Sequence, residues 1–168
     1  MSAAAPPVDV VVRPAVSADE DLLWEMLAYA AHADQGARGN PVLERHVRDW
    51  GRDGDLGVVA ELGGEPVGAA WLRLLVGDEQ ATPAFVDEAT PELVIAVAPE
   101  ARGRAVGSAM LTRLLEAAAS RYPRVTLNAR ADNPAIRLYE RHGFTRLDEI
   151  TNRVGTRSVR MLWVPSAR

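Results

Sequence analysis

The sequence contains no cysteine and no lysine, so all 19 of its Lys-or-Arg cations are arginine. The first absence removes disulfide frameworks, thiolate metal sites and cysteine nucleophiles, and it suits a reducing, cytoplasmic location. The second removes Schiff-base chemistry; a codon bias toward arginine and alanine explains it without invoking function. No apolar run reaches the length of a membrane span. The opening MSAAAPP has neither the basic start nor the apolar stretch of a secretory signal. Residues 1–7 are therefore expected to form a flexible tail ahead of one domain over 8–168. A formal charge of -4 argues against a general binder of nucleic acid or of anionic membranes, although a local basic patch at Arg102 and Arg104 remains open. With 168 residues and 48% hydrophobic composition, the chain suits a single core that buries about 70% of the unfolded surface.

What is present alternates between strand and helix signals. VDVVVRPAV is β-branched and stops at Pro14, as a first strand would. Ser17 followed by Glu20 has the spacing of a capping box. The face Leu22, Leu23, Met26, Leu27 and Ala30 then predicts a helix from about Ala18 to Ala31. ADQGARGNP reads as a loop and VLERHVRDW as a short helix ended by Gly51. A hairpin turns at Gly63–Gly64. The acidic stretch from Gly77 to Pro91 has weak periodicity and is expected to be a loop with at most a little strand. ELVIAVA is a nearly continuous apolar strand, the type covered on both faces. Val106, Met110, Leu114 and Ala118, with Leu111 and Leu115, predict a helix to about Ser120, and RVTLNA a strand. Asn133 can cap a helix opened by Pro134 and closed by Gly143. Two further strands are expected, turning near Asn152–Gly155. The order is mixed α/β, without repeats or linkers.

The stretch VAPEARGRAVGSAM passes from strand to helix through two arginines that bracket a glycine. Such a passage leaves several backbone N–H groups unpaired and aimed at one point, where the helix dipole adds partial positive charge. Glycine admits close approach of the main chain, and Arg102 and Arg104 add full charges, so a phosphate or diphosphate fits. A purely structural loop with solvent-facing arginines fits this segment equally well. A nucleoside-triphosphate loop does not, because it requires a lysine. Neither does a dinucleotide fingerprint, because Gly103 and Gly107 do not make G-x-G-x-x-G.

VAPEARGRAVGSAML, followed by NARADNPAIRLYERHGF, resembles the GNAT superfamily of acyl-CoA N-acyltransferases, and the element order is similar along nearly the whole chain. The resemblance implies an α/β (α+β) fold with a mixed, mostly antiparallel central sheet of about six to seven strands, helices on both faces and a splayed cofactor cleft. It implies acetyl-CoA as co-substrate and no metal. In the family, the segment matching Arg102, Gly103, Arg104, Ala105, Val106 and Gly107 follows R/Q-x-x-G-x-G/A, and its amides, continuing to Ser108, hold the diphosphate of coenzyme A. Ala105 departs from the pattern, standing where glycine is usual and bringing a methyl group toward the ligand. By the same resemblance, main-chain groups of Ile95, Ala96 and Val97 pair with the pantetheine arm as an added strand would. Tyr139 protonates the departing sulfur, a role open to a neutral phenol, although packing of its ring beside Ile136 would explain the residue too. Asn133 is either a pantetheine or phosphate contact or an ordinary cap.

Acyl transfer needs a neutral amine, hydrogen-bond donors for the developing oxyanion and a proton for the thiolate. Glu92 is the candidate base. With period two it shares a face with Val94 and Ala96, which lets it look into the cleft, while an exposed acidic strand end is the competing description. Asp87 and Glu88 are weaker substitutes, and His32 follows the first helix where acceptor loops occur in the family. The carboxylates Asp78, Glu79, Asp87, Glu88 and Glu92 suggest attraction of a cationic acceptor. The expected activity is acetyl transfer to a primary amine of a small molecule or a protein by direct attack in a ternary complex, with a homodimer left open. A coenzyme-A-binding sensor or interaction module without turnover is the alternative.

Overall fold

The structure is a computed structural model, which describes residues 9–33, 35–151 and 155–166. Seven strands form one sheet: β1 (Val10–Pro14), β2 (Leu56–Leu62), β3 (Glu65–Arg73), β4 (Glu92–Val97), β5 (Val125–Arg130), β6 (Thr145–Thr151) and β7 (Arg157–Trp163). Their spatial order is β1-β2-β3-β4-β5-β7-β6, and every neighbouring pair is antiparallel except β4 with β5. Among the described residues four α-helices complete the fold: α1 (Glu20–Ala30), α2 (Pro41–Glu44), α3 (Val106–Ala119) and α4 (Ala135–Arg141).

The helices divide the core between the two faces of the sheet. On one face α1 lays Leu23, Trp24, Met26 and Leu27 against Ala69, Trp71 and Ala96. On the other, the periodic residues of α3, from Val106 and Met110 to Ala118, pack with Ile136 and Tyr139 of α4 on Val58, Ala70 and Leu72. Each buried aliphatic side chain contributes roughly 1.5–3 kcal/mol.

Three local expectations change. Ser17 caps nothing: Ser17–Asp19 is a 3₁₀ turn, and the Asp19 carboxylate accepts the Val16 N–H at 2.8 Å while pairing with Arg13. Glu20 turns away from a capping box and accepts the Trp50 N–H at 3.0 Å. The helix expected over 42–50 stops at Glu44. Trp71 Nε1 donates to the His46 carbonyl, and the Arg73 guanidinium to those of Arg45 and Arg48, so these oxygens face side chains of β3. The segment between β3 and β4 holds a 3₁₀ turn at Gly77–Gln80 and no strand. The turn expected near 152–155 falls largely, and the tail at 1–7 wholly, outside the described residues.

Candidate active site

The parallel junction of the sheet is barely made. β5 pairs with β7 along all six of its residues, whereas its only registered partner on β4 joins Thr126 to Glu92. Thr126 donates its N–H to the Pro91 carbonyl at 3.0 Å and its hydroxyl to the Ala84 carbonyl at 2.8 Å, which pins the strands at that end. Beyond it they part, and a cleft of about 610 Å³ opens between Ile95, Ala96 and Val97 on one side and Leu127, Asn128 and Ala129 on the other. Arg102, Gly107, Asn133 and Tyr139 line it, as do Leu27, Ala30, Ala31 and His32 from the end of α1.

At the mouth lies the strand-to-helix turn singled out by its sequence. The N–H groups of Gly103, Arg104, Ala105, Val106, Gly107 and Ser108 donate to no described residue; the first amide of α3 with a partner is that of Ala109, bonded to the Ala105 carbonyl at 3.1 Å. Gly103 has φ +78°, and Ala105 adopts φ 60°, ψ 20°, the left-handed conformation that glycine accepts freely. The turn thus keeps its shape despite the methyl group, at a cost of roughly 1–2 kcal/mol. Gly107 sits where α3 meets α4: a Cβ there would lie 3.2 Å from Leu138. Arg102 turns its Nε to the Val97 carbonyl at 3.3 Å, and Arg102 and Arg104 are both exposed. Val106 points into the core, and the Ser108 hydroxyl lies 3.0 Å from His142 Nε2.

Asn133 accepts the Ala135 N–H at 2.9 Å at the start of α4 and also lines the cleft. Tyr139, one turn further on, stacks edge-on against Phe144 with ring centroids 6.0 Å apart. Its hydroxyl has no hydrogen-bond partner among the described residues, and burial pushes its pKa up to about 12. The phenol is therefore fully protonated at neutral pH.

Glu92 occupies the floor where β4 and β5 still touch. Burial raises its carboxyl to about 7, against the opposing pull of a 3.1 Å hydrogen bond from Thr82 and the charge of Arg45. His46 Nε2 lies 4.0 Å from Glu92 Oε1. Burial, followed by the charges of Arg45 and Arg73, lowers the imidazole to about 4, so His46 is neutral near pH 7 and this contact is not an ion pair. A desolvated carboxyl that titrates near neutrality beside a neutral imidazole can take up a proton.

The other expected carboxylates are elsewhere. Asp78, Glu79, Asp87 and Glu88 do not line the cleft; Glu79 is held by Arg52 at 2.7 Å and Asp87 by Arg124. The acidic attraction of the acceptor expected from these residues is thereby reduced to Glu92 alone. His32 lines the cleft mouth with φ 53°. Sequence reasoning missed His46, Thr82 and Asn128. Asn128 carried a signal, since it is an amide side chain in an otherwise mostly apolar strand, whereas His46 lies in a segment misread as a helix and Thr82 in one without usable period.

The sheet thus splits between two parallel strands, with a turn of free amides at its mouth. The chain belongs to the Acetyltransferase (GNAT) family, whose profile matches residues 21–144. A mycothiol acetyltransferase from Pseudarthrobacter chlorophenolicus is 32% identical over 156 residues, covering 86% of this chain and 45% of that protein. The chain spans about half the length of the curated relatives it matches. Among solved structures, ribosomal-protein-alanine N-acetyltransferase from Brucella melitensis superposes with a TM-score of 0.68 at 26% identity, over 92% of this chain and 99% of that one. The protein yncA from Salmonella typhimurium, solved with its cofactor acetyl-CoA, has a TM-score of 0.71 at 22% identity over 95% of each chain, a likeness of fold.

Proposed function

We propose that the protein is an acetyl-CoA-dependent N-acetyltransferase that moves an acetyl group to a primary amine by direct attack in a ternary complex. The observation that carries this reading is the row of six unpaired amides from Gly103 to Ser108, beside two exposed arginines and opening onto the cleft. Main-chain donors at a helix start, with guanidinium charge nearby, suit a diphosphate. The freed edge of Ile95–Val97 suits the amide-bearing pantetheine arm, and an amide there suits polarisation of the thioester carbonyl. Asn133 offers a further polar contact. The names of the relatives and the acetyl-CoA in the yncA structure support the same reading.

Acetyl-CoA supplies an activated acetyl thioester. Glu92 takes the proton that the amine gives up as its nitrogen bonds to the acetyl carbon. Tyr139, held protonated by burial, donates to the sulfur as the carbon–sulfur bond breaks. For an acceptor that binds as the neutral amine, each proton thus has a named donor or acceptor.

The test couples acetyl-CoA binding, followed by calorimetry, to thiol release over an amine panel. Tyr139→Phe should bind acetyl-CoA as the parent does and lose about 100-fold or more in kcat, the usual contribution of a general acid. Parent-like turnover would remove Tyr139 from its role, and absence of acetyl-CoA binding by the parent would overturn the reading entirely.

A further inference from the structure

The charge content of the cleft restricts what can enter from the acceptor side. Beyond Glu92 the walls are Leu27, Ala30 and Ala31 at the end of α1, Val42 and Leu43 of α2, and Pro83. Glu92 is the only carboxyl among the described lining residues, and Arg102 at the mouth brings a positive charge. The neighbouring cavity, of about 670 Å³, shares Tyr29, His32 and Arg102 with the cleft. It contains Asp21 and Glu25, but also Arg38, which pairs with Asp21 and lies 5.0 Å over the Trp24 ring. Two carboxylates there face two guanidinium groups, so neither cavity offers a surplus of negative charge.

An acceptor amine arrives mostly as an ammonium and must lose a proton before it can attack. Glu92 answers that one charge. A second ammonium on the same molecule would meet no carboxyl on these walls, whose polar members Tyr29, His32, His46 and Thr82 carry no negative charge, and would give up part of its hydration without a counter-ion. Apolar walls also favour the neutral, nucleophilic form of the first amine. Resting on the acetyltransferase reading above, we propose that the acceptor is a monoamine carried on an uncharged, largely apolar body, with its nitrogen at Glu92 and its body between the end of α1, α2 and Pro83. Polycationic acceptors are selected against by the missing carboxylates.

Three amines of equal length isolate the effect: hexylamine, 1,6-diaminohexane and 6-aminohexanoate, each assayed for thiol release with acetyl-CoA. Hexylamine should exceed the diamine in kcat/KM by about tenfold or more, equivalent to about 1.4 kcal/mol of unpaired charge, with 6-aminohexanoate also below it. A diamine that matches or exceeds hexylamine overturns the proposal, as does absence of release from hexylamine while acetyl-CoA still binds. Loss of acetyl-CoA binding itself would instead strike the reading on which the proposal rests. Val42→Asp, at a wall position that is 60% exposed and so tolerant of charge, supplies the missing counter-ion. It should raise the diamine-to-hexylamine ratio about fivefold, and an unchanged ratio counts against the proposal.

Discussion

Glu92 and His46 should leave opposite signatures in the pH dependence of stability. Burial raises the carboxyl from 4.5 to about 7 and lowers the imidazole from 6.5 to about 4. Unfolding returns both to their ordinary values. Between pH 4.5 and 7 the unfolded chain has lost a Glu92 proton that the folded protein keeps, so the Glu92 contribution declines as pH rises. At about 1.4 kcal/mol per pH unit over about 2.5 units, the decline is about 3 kcal/mol. Between pH 6.5 and 4 the unfolded chain binds a His46 proton that the folded protein refuses, so that contribution declines as pH falls, by a similar amount. Across pH 4.5 to 6.5 the two slopes oppose each other, and the parent protein conceals both. Single substitutions expose them. Relative to the parent, Glu92→Gln should gain about 3 kcal/mol of unfolding free energy between pH 4.5 and 7.5, while His46→Gln should lose about 3 kcal/mol between pH 4 and 6.5. Urea titrations followed by tryptophan fluorescence at each pH give both differences, and contributions from groups distant from the pair cancel in the comparison. Curves for Glu92→Gln and the parent that run parallel across this range would refute the reasoning. The gain in stability at neutral pH accompanies loss of the proposed base, the trade expected where a functional group is held against its solvation preference.

Ala105→Gly should stabilise the protein by about 1 kcal/mol, because it relieves the left-handed alanine, and should tighten acetyl-CoA binding in calorimetry. A destabilised variant would mean that the turn gains more from the methyl group than it loses in strain. Asp55→Asn should cost about 3–5 kcal/mol in urea unfolding. It leaves the Arg73 guanidinium, whose side chain is 1% exposed, without the charge now held at 2.7 Å. Because Arg73 also holds the carbonyls of Arg45 and Arg48, the variant should disturb the turn that carries His46 and change the pH profile of turnover.

The elements that were legible in the sequence are those whose period is enforced by burial. The faces of α1 and α3 follow the apolar pattern because each presents one side to a core, and β3 and β4 read as nearly continuous apolar runs because both of their sides are covered. The turn before α3 was legible for a different reason: glycine and arginine at a strand-to-helix boundary mark a main chain that does not close on itself. The segment 42–50 was misread because its end is decided from outside. Its carbonyls face Trp71 and Arg73, residues more than 20 positions away, and no local propensity reports a partner that distant. His46 was invisible for the same reason, since its place beside Glu92 is fixed by that tertiary anchor.

The alternation of β4 explains why Glu92 could be anticipated while its chemistry could not. Val94 and Ala96 line the cleft with it, so the strand period turns the carboxyl toward that cleft. Its raised affinity for a proton depends on features that no strand pattern records. Thr126 closes the β4–β5 junction at the very register where Glu92 stands, and the turn holding His46 folds over it. Past that register β5 keeps its ladder to β7 but makes none to β4, so the sheet opens just beyond a carboxyl that is buried at the closed end. The point where the β4–β5 ladder ends therefore sets both the start of the cleft and the burial of the group at its floor. Substitutions that strengthen β4–β5 pairing past Thr126 would narrow the cleft and bury that group more deeply.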